Sequence, residues 1–293
     1  MPEKKIISIA VTGRDGQLGK ELLLLTPQYP GFKFLFLSRE IFPLDDPGKM
    51  ESWLSLHPVD AFINCAAYTA VDKAETETAT AFKINGDAPG ILAGILAKNA
   101  GKLIQLSTDY VFDGLSPKPL NEHAATNPVN IYGASKLKGE QSATENNPQT
   151  LILRTSWLYS AFGNNFVKTM MRLMKTKESI QVVSDQTGSP TYAADLARAI
   201  LDILSAEKFI PGIYHYSNEG ETTWFGFAEE IKRITGSSCT IFPVESSGYP
   251  TAARRPAYSL LDKSKIKRDY RLDIPDWKTS LANCMDTVLK SEV

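Results

Sequence analysis

The chain of 293 residues lacks several features that mark large classes of protein. Its formal net charge is -1, so no general basic field attracts nucleic acid or a membrane surface. No apolar run approaches the roughly 20 residues that a membrane-spanning helix needs. Hydrophobic residues make up 43% of the chain and charged residues 22%, an ordinary globular composition. We therefore expect a globular protein of one or two domains that binds neither nucleic acid nor membranes.

Cysteine and histidine are also scarce, with three of each. Cys65, Cys239 and Cys284 are scattered, and this pattern fits neither a disulfide framework nor metal-ligand spacing. The histidines share no spacing either, and we expect His215 to pack within a strand. Residues 1–5 lead into a short apolar run that ends at a glycine-rich turn, which is not a cleavage site. We predict no signal peptide, no metal site and a reduced, cytoplasmic protein.

The first half of the chain alternates apolar, β-branched segments with helical ones. The predicted strands are residues 5–11, 32–37, 61–65, 102–107 and 150–154, and the predicted helical segments are residues 20–25, 46–56, 74–100 and 132–141. Such alternation implies a parallel sheet that is covered by helices on both faces. We predict an α/β fold with a Rossmann-like doubly wound parallel sheet.

The rhythm changes after about residue 157, although no linker or repeat separates the two halves. Helices are predicted at residues 165–175, 195–204 and 223–235, strands at the start of 181–190 and at 212–217, and a surface loop at 243–256. The second half therefore looks woven onto the first. We predict a NAD(P)-binding domain over residues 1–160, to which segments near 185–220 return, and a smaller α/β domain over 161–293 that mainly binds substrate.

A glycine-rich turn follows the first predicted strand and opens a helix. Its spacing, G-x-x-G-x-x-G, is one residue longer than the usual dinucleotide fingerprint. The first glycine permits a tight turn, and the second lets backbone N–H groups approach a pyrophosphate at the positive end of the helix. A plain strand-turn-helix would need the same glycines, but the position directly after the first strand favours a cofactor. The predicted cofactor contacts here are Gly13, Asp15, Gly16, Gln17 and Leu18.

The end of the second strand bears on the choice of cofactor. An acid there, such as Glu40, would hold the ribose hydroxyls of NAD, whereas Arg39 could meet the 2′-phosphate of NADP. A solvated charge pair in a turn explains these residues equally well. We predict use of NADPH, or of both NADPH and NADH, with Ser38, Arg39 and Asp45 on the adenosine side.

Tyr132 and Lys136 are four residues apart on a predicted helix and so share one face. A nearby ammonium lowers the pKa of a phenol, which would prepare the tyrosine to exchange a proton with a carbonyl or alcohol. Thr108 ends the fourth strand, at the sheet edge where ligands bind, and its hydroxyl could hold a substrate carbonyl. Tyr110 could add a polar contact. Ordinary strand-end polarity is the alternative, but the order of these residues along the chain favours catalysis.

Small residues follow the third strand and would let the backbone pass beneath a dinucleotide. The residues predicted to line this side are Cys65, Ala66, Ala67 and Tyr68. Cys65 has apolar neighbours, so we expect packing and not a reactive thiol. Asn85 could bridge Lys136 through water or could be an ordinary polar helix residue.

An acidic cluster comes next along the chain, at Asp72, Glu75 and Glu77. We interpret it as the solvated start of a helix, with no chemical role.

Taken together, these motifs resemble the extended short-chain dehydrogenases/reductases, and most closely the dTDP-4-dehydrorhamnose reductase family. The similar segments are TGRDGQLG at residues 12–19, AYTAVDKAE at 67–75, STDYVFDG at 107–114, RTSWLY at 154–159, NNFVKTM at 164–170, VSDQTGSPT at 183–191 and RPAYSLLD at 255–262. The resemblance covers nearly the whole chain, and several of these motifs are specific to the subfamily.

The resemblance implies that NAD(P)H delivers hydride to C4 of a dTDP-6-deoxy-4-keto-L-hexose, giving dTDP-L-rhamnose. Tyr132 would be the proton donor, Lys136 would tune it and hold the nicotinamide ribose, and Thr108 stands where many relatives have serine. The substrate contacts implied are Thr108, Asp109, Tyr110 and Trp157 at the sugar, and Asn165, Gln186 and Arg255 at the nucleotide.

Some family members hold magnesium at a dimer interface. Glu21 is one candidate ligand here, but no full set is evident, and a homodimer is an open expectation. Cys65 stands where the family usually has alanine.

Three alternatives stay open. A dehydratase or epimerase of a nucleotide sugar would share the fold, but Tyr110 occupies the position where a dehydratase needs glutamate, which disfavours dehydration. A reductase of another nucleotide deoxysugar would share most motifs. A non-catalytic NADP-binding regulatory subunit also resembles this family, but it need not keep Thr108, Tyr132 and Lys136.

Overall fold

A six-stranded, wholly parallel sheet forms the centre of the computed structural model, which describes residues 6–291. The strands are β1 (Ile7–Thr12), β2 (Phe32–Leu37), β3 (Ala61–Asn64), β4 (Lys102–Thr108), β5 (Thr150–Thr155), β6 (Leu158–Tyr159), β7 (Ser179–Val183), β8 (Thr187–Gly188), β9 (Thr191–Tyr192), β10 (Gly212–His215), β11 (Thr222–Thr223) and β12 (Thr240–Val244). The central sheet has the order β10-β5-β4-β3-β1-β2. Because the order reverses beside β1, the sheet is doubly wound, as predicted.

Helices cover both faces of this sheet. They are α1 (Gln17–Leu25), α2 (Pro47–Leu56), α3 (Val71–Ala74), α4 (Thr78–Phe82), α5 (Ala88–Ala97), α6 (Ile131–Asn146), α7 (Phe166–Thr176), α8 (Ala193–Ser205), α9 (Trp224–Thr235), α10 (Ser264–Tyr270) and α11 (Trp277–Ser291). A π-helical turn, Lys83–Asp87, joins α4 to α5, and short 3₁₀ turns occupy Thr26–Gln28, Asp109–Val111 and Ser246–Gly248. No helix among residues 6–291 combines the length and the apolarity that crossing a membrane requires.

Two apolar layers sandwich the central sheet. On one face, α1 and α8 pack against β1 and β5, with Leu22 and Ile200 fully buried. On the other face, α2 and α5 pack through Met50 and Leu92. The strands are near-continuous apolar runs because both of their faces are buried.

The second half of the chain has its own core beside this sandwich. The two-stranded parallel sheet of β7 and β12 packs with α7, α9 and α11, and Met170, Phe227 and Leu281 lie in that core. The same half supplies β10, which pairs with β5 at the edge of the central sheet. The division at residue 160 stays a prediction.

Several boundaries differ from those predicted. Residue 5, where the first strand was expected to start, lies outside the described residues, and β1 begins at Ile7. Part of the predicted loop at 243–256 is strand, since β12 runs to Val244. The helical region predicted at 74–100 ends at Ala97 and contains the π-helical turn.

Candidate active site

The glycine turn after β1 has the conformation that its sequence predicts. Gly13 has φ +70°, and a Cβ there would stand 3.0 Å from the backbone nitrogen of Ala66. Gly16 is the N-cap residue of α1 and gives the helix no side-chain cap. The first N–H groups of α1 therefore remain available to an anion. A Cβ on Gly19 would collide with the Gly13 carbonyl, so this position needs glycine for the turn to close.

A cavity of about 130 Å³ opens between the carboxyl ends of β1, β2 and β3. Its lining includes Gly13, Ser38, Arg39, Asp45, Ala66 and Ala67, all predicted cofactor contacts. Arg39 Nη2 lies 3.8 Å from the Asp45 carboxylate, and the Arg39 side chain is well exposed. Arg39 therefore pairs with Asp45 and not with Glu40, and its exposed guanidinium lies at the rim of the cavity.

The other predicted cofactor residues occupy different positions around the turn. Asp15 is exposed and pairs with Arg14, whereas the Leu18 side chain is buried in the core, so Leu18 offers a ligand only its backbone. Cys65 packs against the core, and burial raises the pKa of its thiol, consistent with packing.

Asn85 lies in the π-helical turn and hydrogen-bonds the backbone of Tyr68 in the segment after β3. Its side chain donates to the Tyr68 carbonyl at 2.9 Å and to Ser135 Oγ at 3.1 Å, and it accepts from the Tyr68 N–H at 2.8 Å. Ser135 belongs to α6, so this single amide ties the cofactor-side loop to the helix that carries Tyr132. Neither interpretation from sequence anticipated this role.

Thr108, Tyr110 and Tyr132 come together at the carboxyl edge of the sheet. Thr108 ends β4, accepts from the Tyr110 N–H at 3.2 Å and hydrogen-bonds Tyr132. The rings of Tyr110 and Tyr132 meet edge to face with centroids 5.9 Å apart. A Cβ on Gly133 would collide with the Tyr110 carbonyl, so glycine lets α6 approach this closely.

Burial dominates the electrostatics of the tyrosine–lysine pair. Burial, and then the charge of Asp109, raises the pKa of Tyr132 to about 12. Lys136 Nζ donates to the Leu106 carbonyl at 2.6 Å, and burial lowers the pKa of the lysine to about 8. The expected lowering of the Tyr132 pKa is not seen in this structure, because removal from water raises that pKa. Tyr132 keeps its proton at neutral pH.

Asp109 is a buried acid beside these hydroxyls. Its Oδ1 accepts from Thr108 Oγ1 at 3.0 Å, and burial raises the pKa of the carboxyl to about 6. Its negative charge further favours the protonated form of Tyr132.

A larger cavity, about 810 Å³ in volume, is lined by residues of the second half of the chain, between Phe166 and Ala257. Gln186 and Arg255 line it, as do Trp224 and Ser246. Gln186 Nε2 donates to Ser246 Oγ at 2.9 Å. A concave space of this size with a few polar groups suits a ligand such as a nucleotide sugar.

Trp157 stacks on Trp224, which lines the larger cavity, with ring centroids 3.8 Å apart. Its φ of +48° is unusual for a bulky residue, and such strain is typical of functional sites. Gly188 makes room for the indole, since a Cβ there would lie 2.9 Å from Trp157 Cε2.

Asn165 does not line the larger cavity. Its Oδ1 caps α7 by accepting from the Lys168 N–H at 3.1 Å, and its Nδ2 donates to Gln17 at 3.0 Å and to the Ser160 carbonyl at 2.7 Å. Its side chain thus holds the glycine turn and α7 together. The Asn165 amide is engaged in these contacts in this structure, and its contact with the nucleotide stays a prediction.

The acidic cluster lies at a helix start, as interpreted, with Asp72 exposed in the first turn of α3, and its carboxylates also make specific contacts. Asp72 accepts from both Nη atoms of Arg255, at 3.2 and 2.8 Å, and from the Ala253 N–H at 3.0 Å. Glu75 accepts from the N–H of Ile131 at 2.9 Å, and Glu77 accepts from the Tyr68 hydroxyl at 2.8 Å. No sequence signal links Asp72 to partners that are 181 and 183 residues away.

A buried charge network lies behind α6. Glu140 on α6 accepts from Arg154 Nη2 at 2.6 Å and from Ser107 Oγ at 2.5 Å. His215, buried in β10 as predicted, receives a hydrogen bond on Nε2 from Arg154 at 3.4 Å and donates from Nδ1 to the Leu120 carbonyl at 3.0 Å. This tautomer follows because a guanidinium only donates.

Glu21, the candidate magnesium ligand, is buried and accepts from Ser160 Oγ at 2.6 Å. Among residues 6–291 no group of three or more His, Cys, Asp or Glu side chains is placed to hold a metal ion.

Comparison with known proteins gives one consistent result. The model of the RmlD substrate binding domain matches residues 7–290. A dTDP-4-dehydrorhamnose reductase of Sinorhizobium fredii is 41% identical over 93% of this chain and 94% of its own length. One of Burkholderia thailandensis is 37% identical over 97% of this chain and 99% of its own. A crystal structure of the Bacillus anthracis dTDP-4-dehydrorhamnose reductase in complex with NADP superposes with TM-score 0.92 at 37% identity, covering 96% of this chain and 99% of that one.

Proposed function

Because the chain belongs to the dTDP-4-dehydrorhamnose reductase family, we propose that it reduces the C4 keto group of dTDP-4-dehydro-6-deoxy-L-mannose to give dTDP-L-rhamnose. It is an NAD(P)H-dependent oxidoreductase of dTDP-rhamnose and polysaccharide biosynthesis. One observation carries the assignment beyond resemblance. The hydroxyls of Thr108 and Tyr132 are joined at the sheet edge, and Tyr110 beside them hydrogen-bonds Arg255, which lines the larger cavity.

The nicotinamide cofactor, when bound, supplies the hydride. Gly13 and Gly16 fit such a group, because the turn approaches the backbone after β3 closely and leaves the first N–H groups of α1 without a side-chain cap. The remaining residues that we propose to surround it are Asp15, Gln17, Leu18, Ser38, Arg39, Asp45, Cys65, Ala66, Ala67, Tyr68, Asn85, Tyr132 and Lys136.

Tyr132 completes the reduction by giving its hydroxyl proton to the C4 oxygen, while C4 receives the hydride. The carbonyl thereby becomes a secondary alcohol, and the proton and hydride together balance the reaction. Thr108 would donate to the same oxygen as negative charge develops on it. Lys136, which is buried one turn along α6, would hold the ribose and return a proton to Tyr132.

The larger cavity would hold the substrate. Asp109, Tyr110 and Trp157 would contact the sugar, and Gln186 and Arg255 the nucleotide. Arg255 donates twice to Asp72, once to the Ala253 carbonyl and once to the Tyr110 hydroxyl, which leaves one of its five N–H groups for a phosphate oxygen. The indole pair of Trp157 and Trp224 would provide a flat apolar wall.

The proposal also covers the cellular location and the oligomeric state of the enzyme. We propose that it works in the cytoplasm, where its three cysteines stay as free thiols, and that it forms a homodimer. Light scattering on the eluting protein measures the oligomeric state directly.

The test is NADPH oxidation with enzymatically generated dTDP-4-keto-L-rhamnose, with NADH run in parallel. Turnover and formation of dTDP-L-rhamnose are expected, and the ratio of the two rates gives the cofactor preference. Tight NADPH binding without turnover would instead point to another keto sugar or to the regulatory-subunit alternative.

A further inference from the structure

The segment 250–257, here called the strap, forms one wall of the larger cavity. Its lining residues are Pro250, Thr251, Ala252, Arg254, Arg255 and Ala257. Residues 250–257 form no helix or strand, and the strap is held by a backbone hydrogen bond from the Thr187 N–H to the Ala257 carbonyl at 2.8 Å and by side chains from elsewhere. Two such side chains, Asp72 and Asn130, both come from the half of the chain that carries the catalytic helix.

Asp72 holds the strap through three hydrogen bonds to one carboxylate. It accepts from the Ala253 N–H and from both Nη atoms of Arg255, so it fixes the backbone of the strap and its phosphate-facing side chain together. The Asp72 side chain is 48% exposed and that of Arg255 is 23% exposed. An ion pair this accessible contributes little to stability, so its main effect is to orient groups.

Asn130 connects the strap to α6. Its Nδ2 donates to the Arg254 carbonyl at 2.7 Å, and its Oδ1 caps the helix by accepting from the Gly133 N–H at 2.7 Å. Tyr132 lies between the cap and Gly133 in this first turn. A movement of the strap would therefore shift the first turn of α6, which positions the Tyr132 hydroxyl.

A second connection between the strap and α6 runs through α3. Glu75 lies three residues after Asp72 at the end of the one-turn helix α3, and it accepts from the Ile131 N–H at 2.9 Å. Asp72 and Glu75 at the two ends of α3 thus hydrogen-bond the strap and the start of α6, respectively. Arg255 also hydrogen-bonds Tyr110, whose ring contacts Tyr132.

We propose that Asp72 and Asn130 form a latch that couples occupation of Arg255 by the diphosphate of a sugar nucleotide to the position of Tyr132. The latch rests on the proposed function, in which Arg255 meets that diphosphate. Both are positioning residues, since they reach the reaction through the strap and α6. The nucleotide, which takes no part in the chemistry, would in this way raise the rate at the sugar.

Two conservative variants test the latch. Asp72→Asn removes the charge and turns one acceptor into a donor that faces Arg255. Asn130→Ser keeps a good helix cap but is too short to reach the Arg254 carbonyl. We expect each to lower kcat about 10-fold, with KM for the nucleotide sugar and Kd for NADPH within about 3-fold of wild type. The kcat of the double variant should be little lower than that of the more impaired single variant, because both residues act on the same connection between the strap and α6.

Asp185→Asn is the matched control. Asp185 holds the 3₁₀ turn at Ser246 on another wall of the cavity, through the N–H and the hydroxyl of Ser246. Among residues 6–291, neither Asp185 nor Ser246 hydrogen-bonds α6, so the variant should change KM and leave kcat within about 2-fold. An unchanged kcat in Asp72→Asn, an equal kcat loss in Asp185→Asn, or a multiplicative loss in the double variant would overturn the latch.

Hydrogen exchange gives a readout that does not depend on turnover. In the wild type, dTDP should slow exchange of the amides of Gly133 and Ala134 in the first turn of α6, and in Asp72→Asn it should not. If dTDP binds the wild type without changing this exchange, the latch is wrong whatever the enzyme reduces. Wild-type inactivity toward the keto sugar, with the exchange effect present, would count against the proposed substrate alone.

Discussion

At the scale of single residues, burial decides how the proposed acid works. Removal from water favours neutral side chains, and it raises the pKa of Tyr132 while lowering that of Lys136. A tyrosine that keeps its proton at neutral pH is ready to give it to a nascent alkoxide. The reverse reaction would need the phenolate, which burial disfavours.

Tyr132→Phe removes this proton and keeps the ring. We expect kcat to fall by about 10² to 10⁴-fold, while NADPH binds within about 2-fold of wild type. Stopped-flow or steady-state NADPH oxidation measures the loss. Tyr29→Phe is the control, because it removes a hydroxyl that is bonded to Asp202 on α8. It should leave kcat and NADPH binding unchanged. Near-normal turnover in Tyr132→Phe would take the tyrosine out of the mechanism.

Arg39→Ala tests the phosphate contact at the rim of the smaller cavity. Losing one charge-assisted hydrogen bond should raise KM for NADPH about 10-fold and leave KM for NADH nearly unchanged. Parallel assays with the two cofactors measure this. Equal changes for both would mean that Arg39 has only a local role with Asp45.

The residues of this site differ in how far sequence could predict them. Thr108, Tyr110, Tyr132 and the glycine turn follow directly from strand ends and helix starts, and the structure brings them together. The pKa of Tyr132 was not predictable, because it depends on burial that no local pattern reports. Asp72 was missed because its partners are distant in sequence, although an Asn before a helix, as at position 130, is a recognisable cap signal.

At the scale of elements, α6 is positioned by its glycines. Gly133 and Gly139 let it lie directly against the Tyr110 carbonyl and against the Asn85 carbonyl in the π-helical turn. The helix rests on backbone at both points, so its axis cannot shift without moving the cofactor-side loop. Sequence periodicity predicted α6 but not this contact, because a π-helical turn has no sequence pattern of its own.

Gly139→Ala should therefore destabilise the protein by about 1–3 kcal/mol, because the new methyl group meets the Asn85 carbonyl and Pro89. Gly94→Ala on α5 is the matched control, since its nearest neighbours are 3.9 Å away. It should stabilise by up to about 1 kcal/mol through helix propensity. Urea unfolding of both variants measures the difference, and equal effects would contradict the packing argument.

At the scale of the whole molecule, the two halves cannot be separated along the chain. β10 comes from beyond residue 160 yet completes the sheet edge, and α8 covers the face that α1 also covers. The buried network of Glu140, Arg154 and His215 joins α6, β5 and β10. Alternating strands and helices were enough to predict the parallel sheet, but the partner of β5 could not be read from a pattern.

His215 makes the stability of the whole fold sensitive to acid. Burial and Arg154 lower its folded-state pKa to about 3 from 6.5, so between these values the unfolded chain binds a proton that the folded one does not. Stability should fall as pH drops from 6.5, by up to about 1.4 kcal/mol per pH unit from this group.

His215→Gln keeps a donor for Leu120 and an acceptor for Arg154 without titrating. Urea unfolding between pH 7 and pH 4 should show a smaller acid slope in this variant, and no change in the exposed-histidine control His123→Gln. The same slope in His215→Gln and wild type would contradict the prediction.

A chain cut after residue 160 tests whether the predicted cofactor domain is independent. It would lack α8 and β10 and expose apolar side chains such as Leu22 that α8 helps to cover. We expect no cooperative urea transition and no NADPH binding. Cooperative unfolding with retained binding would show that the first 160 residues fold alone.

The late arrival of β10 has a consequence for synthesis on the ribosome. β5 is complete at Thr155, but its neighbour begins only at Gly212, so its hydrogen-bonding groups stay without that partner strand while residues 156–211 emerge. During this interval, the unpaired edge of β5 can form β-sheet hydrogen bonds with other nascent chains on the same mRNA. Slow translation across residues 156–211 is therefore expected to lengthen the time for which this strand edge is exposed.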